Sequence, residues 1–438
     1  MPTRATRLVP FVVALFFVWG FATVLNDTLI PKLKALFELS YAEIMLTQFC
    51  FFIGYFVFSL PAGALLTRLG YVRSIVVGLI VMAAGCLLFS PAAAMGAYAM
   101  FLVALFVVAA GITVLQVAAN PLIAVLGSSA SAHSRVTLAQ AFNSLGTFVG
   151  PWVGAALLLS HGLVTPDSAH LSAAALAALR RSEAQSVQSL FIGMALVLVV
   201  LAGLFWIKRR ADVGATESRA RRRYSTWEVL RAHPRLALGA VSIFLYVGAE
   251  VSIGSLLVNY LLLPKNIAAT GALGAWVSGA AALLGIGTGA VSIAALAGRL
   301  VSLYWGGAML GRFVGSAVLR TVPAGAVLCV CAIAACLFAC VSAGSSGTSA
   351  IVTVITIGLC NSIMFPTIFT LAIENLGDKI ERGAAILCMA IVGGAIVPVL
   401  AGALADAVGL SAALLVPAAC YVWIAVYGLL SRTRLHVI

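Results

Sequence analysis

Long apolar segments follow one another along most of this chain, and short polar or basic connections separate them. About 20 apolar residues in an α-helix are enough to cross the hydrocarbon core of a bilayer. A hydropathy window of about 19 residues predicts roughly twelve such helices. Their approximate spans are 9–30, 44–66, 74–92, 97–126, 137–160, 188–207, 237–263, 295–319, 323–342, 348–374, 384–406 and 411–431. The pattern therefore predicts an all-α membrane protein.

One region fits this pattern less well than the others. Residues 264–294 are rich in Gly and Ala and only moderately apolar. Such a segment is compatible with a loop, with a re-entrant segment or with an early start of the eighth helix.

The composition excludes an ordinary soluble protein. Of the 438 residues, 63% are hydrophobic and 9% are charged, and the mean hydropathy is +1.14. A soluble protein of this length needs more polar surface than that. The net charge of +13 would suit nucleic acid, but the Lys and Arg residues lie in short segments between apolar runs. Because they do not follow one helix or stripe, we predict a lipid bilayer and no nucleic acid as partner.

The basic residues of the short connections predict how the helices are oriented. Positive residues are enriched in cytoplasmic loops. One side of the membrane receives the basic central connection, the basic C-terminal tail and Arg4, Arg7, Arg68, Arg73, Arg135, Lys379 and Arg382. The opposite side receives Lys32, Lys34, Arg180 and Arg181. The balance predicts a multi-pass protein of the cell inner (plasma) membrane with both termini in the cytoplasm.

An internal repeat relates the two parts of the chain. Arg135 precedes Pro151 by sixteen positions in the fifth predicted helix, and Arg382 precedes Pro398 by sixteen in the eleventh. The fifth and eleventh helices therefore correspond to each other.

The fourth and tenth helices correspond in the same way. Gln116 stands five residues before Pro121, and Asn361 stands five residues before Pro366. Two homologous halves of six helices are typical of transporters that bind their substrate near the middle of the membrane. The predicted division is an N-terminal bundle, a basic cytoplasmic linker and a C-terminal bundle at 1–207, 208–236 and 237–438.

Two carboxylates lie within the apolar segments. Asp27 is in the first predicted helix, and Glu250 is near the middle of the seventh. Ionisable groups inside a membrane are costly and mark pathways or binding sites. Asp27 could instead meet water at a helix end, since it is four residues before Pro31, and Glu250 could pair with Arg312. The carboxylates make transport the first functional hypothesis.

The chain resembles the major facilitator superfamily, and within it the glucose/galactose branch of the fucose–galactose–glucose symporters. The resemblance covers nearly the whole chain. It is carried by WGFATVLNDTLIPKLK, LQVAANPLIAVLG, LAQAFNSLGTFVGP, YVGAEVSIGSLLVNYL and FPTIFTLAIENLG. The segment GALLTRLGYVR is similar to the superfamily's Gly-rich basic loop but lacks its acidic residue.

The resemblance implies roles for several polar residues. Asn26 and Asp27 match the pair that carries the carboxylate for proton coupling and substrate binding. Gln140 and Asn143 match the sugar-contacting amides of the fifth helix. Gln116 replaces the Glu of the fucose transporters, so it cannot carry a proton but can donate and accept hydrogen bonds. It could equally be an amide that packs between helices.

Further candidates lie near these positions. Glu250 could be a second titrating group, a sugar-hydroxyl acceptor or a sodium ligand. Phe142 and Tyr246 neighbour the polar positions and could stack on the apolar side of a sugar ring. The remaining amide candidates for the same cavity are Asn259 and Asn361.

The leading hypothesis is a secondary active transporter that imports glucose/galactose-type hexoses by H⁺ or Na⁺ symport through alternating access. The alternatives are an L-fucose or N-acetylglucosamine symporter of the same family, or an uncoupled sugar facilitator. No GxxxxGK[ST] loop is present, which argues against a primary pump. No clustered His/Asp/Glu set recurs at catalytic spacing, so we expect no enzymatic activity. We also expect no cofactor and no metal centre.

Overall fold

The computed structural model describes the backbone of residues 8–37, 41–95, 97–158, 173–209, 225–283 and 293–431. Within these ranges, side chains are described except at 25–37, 41–46, 48, 151–158, 173–186, 281–283 and 294–295. The regular elements of the described ranges are all helices, as the apolar pattern predicted.

The first part of the chain forms six long helices. Their bounds are α1 Val9–Phe37, α2 Tyr41–Leu69, α3 Tyr71–Met95, α4 Tyr98–Val125, α5 Ala132–Leu158 and α6 Ala173–Ile207. A short 3₁₀ segment, Ser129–Ser131, precedes α5. The helix α5 begins five residues earlier than the apolar span indicated, because its first turn is polar.

The second part contains eleven helical pieces in the described ranges. They are α7 Thr226–Ala232, α8 Pro234–Leu261, α9 Ile267–Leu283, α10 Ile293–Val318, α11 Ala324–Gly344, α12 Gly347–Asn361, α13 Met364–Ile373, α14 Ile380–Met389, α15 Gly393–Val408, α16 Leu410–Ala413 and α17 Leu415–Ser431. The pairs α12/α13 and α14/α15 occupy the tenth and eleventh predicted spans. Each of these two spans is therefore interrupted, the tenth by a turn at Ser362 and Ile363 and the eleventh by the 3₁₀ turn Ala390–Val392.

The membrane-spanning prediction is confirmed. Nine helical segments of the described chain are long and apolar enough to cross a bilayer, and two further apolar helices are shorter, at Val9–Val24 and Ile267–Ala280. The second of these lies in the region that the sequence left open. The described part of 264–294 is thus mainly helix, and α9 packs on α10 with Gly274 against Leu296.

Contacts between Cα atoms group the chain into two compact units. The N-terminal unit comprises Met1–Ser129, Phe142–Val229 and Leu376–Met389. The C-terminal unit comprises Ala130–Ala141, Leu230–Asn375 and Ala390–Ile438.

Small residues allow helices to approach closely inside the N-terminal unit. A Cβ atom on Gly111 of α4 would lie 2.5 Å from the backbone nitrogen of Met82 on α3. A Cβ atom on Gly63 of α2 would lie 2.7 Å from the Ala385 side chain on α14. Between membrane helices, packing of this kind replaces the hydrophobic driving force that operates in water. The helix α4 is consequently buried along most of its length.

The same close contact recurs in both units and supports the internal repeat. In the N-terminal unit, a Cβ atom on Gly146 of α5 would lie 2.2 Å from the carbonyl oxygen of Phe17 on α1. In the C-terminal unit, a Cβ atom on Gly393 of α15 would lie 1.9 Å from the carbonyl oxygen of Phe244 on α8. Gly146 and Gly393 are equivalent in the repeat, because Gly146 lies eleven residues after Arg135 and Gly393 lies eleven residues after Arg382.

Candidate functional site

The C-terminal unit contains a group of polar side chains among the helices α8, α10, α12 and α17. We call it the C-terminal polar cluster. Its members are Tyr246, Glu250, Tyr304, Arg312, Asn361 and Tyr421. The three tyrosines and Asn361 are fully buried, whereas Glu250 and Arg312 are half-buried.

A proline leaves one backbone carbonyl of this region free to accept a hydrogen bond from a side chain. Pro366 has no N–H group, so it cannot donate to the carbonyl of Ser362 four residues earlier. Ser362 and Ile363 form a turn between α12 and α13, with backbone angles that stay in the right-handed helical region. The Arg312 Nε group donates to the Ser362 carbonyl at 3.0 Å. The break in the tenth span therefore supplies a partner for a cation on α10.

Tyr246 connects this break to the Glu250 carboxylate. Its hydroxyl group donates to Glu250 Oε1 at 2.7 Å and also lies 3.2 Å from the backbone carbonyl of Asn361. The two residues Tyr246 and Glu250 are four apart on α8, so their side chains lie on one face of the helix. The carboxylate of Glu250 is thus held by a neighbouring side chain of the same helix.

Arg312 lies beside the same carboxylate. Its guanidinium group interacts electrostatically with Glu250. A second nitrogen, Nη1, donates to the backbone carbonyl of Gln140 at 3.5 Å. Gln140 is on α5 and is only 5% exposed. The structure therefore brings three sequence candidates, Gln140, Tyr246 and Glu250, around one arginine.

The Asn361 side chain completes the cluster. Its Nδ2 group donates to the Tyr304 hydroxyl at 2.9 Å. The Tyr421 hydroxyl interacts with this amide, although neither that hydroxyl nor Asn361 Oδ1 makes a well-formed hydrogen bond among the described residues. A buried acceptor and a buried hydroxyl therefore lie side by side without good hydrogen-bond geometry.

The N-terminal unit contains a similar arrangement around Gln116. Its Nε2 group donates to the Tyr55 hydroxyl of α2 at 2.8 Å. The oxygen of the same amide, Oε1, is buried and has no hydrogen-bond partner among the described residues. Tyr55 and Gln116 are 3% and 8% exposed, so little of either side chain meets solvent.

The other candidates on α5 lie in the N-terminal unit. The Asn143 Nδ2 group donates to the Phe16 carbonyl of α1 at 3.0 Å. Asn143 therefore also joins α5 to α1, close to the point where Gly20 meets its backbone. The neighbouring Phe142 is half-buried.

Of the remaining candidates, Asn259 has a described side chain and Asn26 and Asp27 do not. Asn26 and Asp27 lie in α1, but their side chains are outside the described residues. Asn259 lies in α8 on an exposed face, nine residues beyond Glu250. An exposed position on that helix separates its side chain from the buried cluster.

Three tyrosines of these arrangements were not selected as site candidates from the sequence. Tyr55, Tyr304 and Tyr421 lie in apolar segments, where a tyrosine counts as one more hydrophobic residue. Their hydroxyl groups become informative only through their buried amide partners. The repeat could have pointed to Tyr55 and Tyr304, because they lie on the second and eighth spans, which correspond if each half has six helices.

Comparison with known proteins gives one family and several relatives. The family model described as Major Facilitator Superfamily matches residues 11–387. A glucose/galactose transporter of Brucella abortus is 47% identical over 422 residues, which cover 95% of this chain and 92% of the relative. An L-fucose-proton symporter of Escherichia coli is 32% identical over 443 residues, which cover 96% of this chain and 92% of the relative.

The fold is also similar to that of a solved transporter. The crystal structure of the Escherichia coli fucose:proton symporter superimposes with a TM-score of 0.82 at 28% sequence identity. The match covers 97% of this chain and 98% of that one.

Proposed function

Since this chain belongs to the Major Facilitator Superfamily, we propose that it is a secondary active transporter that imports glucose and galactose by symport with a cation. The observation that carries the proposal is the 47% identity to a glucose/galactose transporter, which extends over 95% of the chain. Identity over that extent includes both units, so it is not limited to a shared scaffold segment.

The polar groups of the two units suit a sugar as the substrate. A hexose presents several hydroxyl groups, each of which can donate and accept a hydrogen bond. We assign to substrate binding the amide and carboxylate candidates Asn26, Asp27, Gln116, Gln140, Asn143, Glu250 and Asn361. Phe142 and Tyr246 are the aromatic candidates, and Asn259 is the weakest assignment because it lies on an exposed face.

The coupling ion is assigned to the carboxylates. Glu250 is bound by Tyr246 and faces the charge of Arg312. A carboxylate that can exchange an arginine partner for a proton is suited to link ion binding to a conformational change. Asp27 is the second coupling candidate. A proton is favoured over sodium because a relative that covers the same length is named a proton symporter.

The cellular placement is part of the same proposal. The basic connections favour the inner membrane with both termini in the cytoplasm. The bundles at 1–207 and 237–438, joined by the linker 208–236, are the expected functional halves. Alternating access follows from two homologous halves.

Uptake into membrane vesicles tests this function directly. A proton gradient or, separately, a sodium gradient is imposed across vesicles that contain the protein. The uptake of labelled glucose into the vesicles is then measured over time. We expect concentrative uptake with the proton gradient and inhibition by unlabelled galactose. Asp27→Asn is expected to lose the concentrative part, because an amide cannot release a proton.

The alternatives give different results in the same experiment. Accumulation with sodium alone would replace the proton by sodium. Equal and non-concentrative uptake under both gradients would identify an uncoupled facilitator. Stronger inhibition by fucose or N-acetylglucosamine than by galactose would reject the proposed substrates.

A further inference from the structure

Two buried amides in equivalent positions of the repeat make the same contact. Gln116 and Asn361 each stand five residues before a proline. Each donates its amide N–H to a tyrosine hydroxyl, at 2.8 Å for Tyr55 and 2.9 Å for Tyr304. Within the described part of the chain, each leaves its amide oxygen buried and without a hydrogen-bond partner. Because the same amide–tyrosine contact occurs in both units, it is expected to have the same role in each.

A buried carbonyl oxygen without a partner is unfavourable. Most buried polar atoms in proteins have at least one hydrogen bond, so each exception calls for an explanation, and in a transporter the substrate can supply the missing partner. An amide oxygen can only accept, so its partner must be a donor such as a hydroxyl group or a water molecule. In both arrangements the amide nitrogen faces the tyrosine hydroxyl, so the oxygen points away from it.

We propose that Tyr304 and Tyr55 are positioning residues that orient the oxygens of Asn361 and Gln116 to accept hydrogen bonds from hydroxyl groups of the transported sugar. The inference rests on the proposed function and adds to it the polarity of the contact: the sugar donates and the protein accepts. Each tyrosine acts through its amide and does not itself contact the sugar.

The surroundings of Asn361 favour a hydroxyl partner. The Tyr421 hydroxyl interacts with the Asn361 amide, but among the described residues neither that hydroxyl nor the amide oxygen makes a well-formed hydrogen bond. One sugar hydroxyl can donate to the Asn361 oxygen and accept from the Tyr421 hydroxyl, which gives both groups a partner. The same two groups could be bridged by a water molecule. The two partners differ in one consequence, since only the sugar contact depends on which sugar is present.

Sugar analogues test the inference because fluorine keeps the shape of a hydroxyl group but cannot donate. Inhibition of labelled-glucose uptake is measured with each monodeoxy-glucose and the matching deoxyfluoro-glucose, in the unaltered protein and in Tyr304→Phe. At one hydroxyl position, we expect both analogues to bind about three- to tenfold more weakly than glucose to the unaltered protein. In Tyr304→Phe this penalty shrinks, because the amide is no longer oriented.

The control is Tyr427→Phe in α17. Tyr427 is buried in the same unit, and its hydroxyl lies near Ser431, which is not a member of the C-terminal polar cluster. Removing that hydroxyl is expected to leave the pattern of analogue penalties unchanged. The same series with Tyr55→Phe tests the N-terminal unit, and it decides the question if Tyr304→Phe does not fold.

Three results would overturn the inference. Equal analogue penalties in the unaltered protein and in the tyrosine variants would mean that water satisfies the amide oxygens. Retained binding of a deoxyfluoro analogue, where the deoxy analogue is weak, would mean that the protein donates to the sugar at that position. Absence of glucose uptake by the unaltered protein would reject the proposed function, and this inference with it.

Discussion

Replacing Glu250 by glutamine is expected to abolish uphill accumulation of sugar while sugar exchange across the membrane persists. The Tyr246 hydroxyl donates to the Glu250 carboxylate, and a glutamine oxygen can accept the same hydrogen bond. Glu250→Gln therefore preserves the local contact on α8. It removes the negative charge and the ability to bind and release a proton.

The distinction between accumulation and exchange follows from the role proposed for Glu250. Gradient-driven uptake requires that the coupling group change its ionic state in each cycle. Exchange of internal for external sugar does not require a change of ionic state, because the binding site crosses the membrane with sugar bound in both directions. We therefore measure both processes in proteoliposomes with labelled glucose: net uptake under a proton gradient, and counterflow with unlabelled sugar inside. The variant is expected to reach equilibration only, with counterflow close to that of the unaltered protein.

A matched substitution on the same helix controls for nonspecific effects. Ser255 lies on an exposed face of α8, and its hydroxyl donates to the backbone carbonyl of Val251. Ser255→Ala should accumulate glucose normally. Normal accumulation by Glu250→Gln would remove Glu250 from the coupling mechanism and leave Asp27 as its candidate. Loss of both accumulation and counterflow would contradict the expectation, because it would mean that sugar binding or folding itself requires the charge of Glu250.

The repeat and the carboxylate of Glu250 within an apolar span could be predicted from the sequence, because both depend on local pattern. A hydropathy window detects apolar segments by their length, and an ionisable residue such as Glu250 is rare within such a segment. The spacing of Gln116 and Asn361 before their prolines identified two equivalent amides. Their orientation could not be predicted in this way, because it is fixed by tyrosines that lie 61 and 57 positions away along the chain.

The helix break after Asn361 shows a second limit of sequence reasoning. Pro121 and Pro366 occupy equivalent positions, yet α4 continues through Pro121 and the tenth span breaks before Pro366. The difference depends on tertiary partners: Arg312 donates to a carbonyl at the break, and the Tyr246 hydroxyl reaches another. A proline removes one backbone hydrogen bond wherever it occurs. Only the fold determines whether side chains can replace it.

Replacing Gly393 by alanine is expected to cause a large loss of folded protein. A Cβ atom at this position would lie 1.9 Å from the backbone carbonyl oxygen of Phe244. The obstacle is backbone, so a side-chain rotation cannot remove it, and α15 and α8 would have to separate. Overpacking in a core typically costs about 1–3 kcal/mol, and here the shift involves two whole helices.

The expected loss of stability in Gly393→Ala is opposite to the usual effect of replacing glycine by alanine in a helix. Alanine normally favours a helix over glycine by about 1 kcal/mol. Gly402 lies in the same helix, α15, and a Cβ atom there would meet nothing within 4 Å. Gly402→Ala should therefore leave the protein as stable as before or slightly more stable. Thermal denaturation in detergent, followed by the monodisperse peak in size-exclusion chromatography, compares the two variants.

The repeat extends the prediction to the other unit. Gly146 meets the Phe17 carbonyl as Gly393 meets that of Phe244, so Gly146→Ala should also destabilise the protein. Close contact between α8 and α15 would be refuted if Gly393→Ala denatured at the same temperature as Gly402→Ala or higher. If both Gly146→Ala and Gly393→Ala destabilise while Gly402→Ala does not, the two halves share a helix contact that the position of a single glycine specifies.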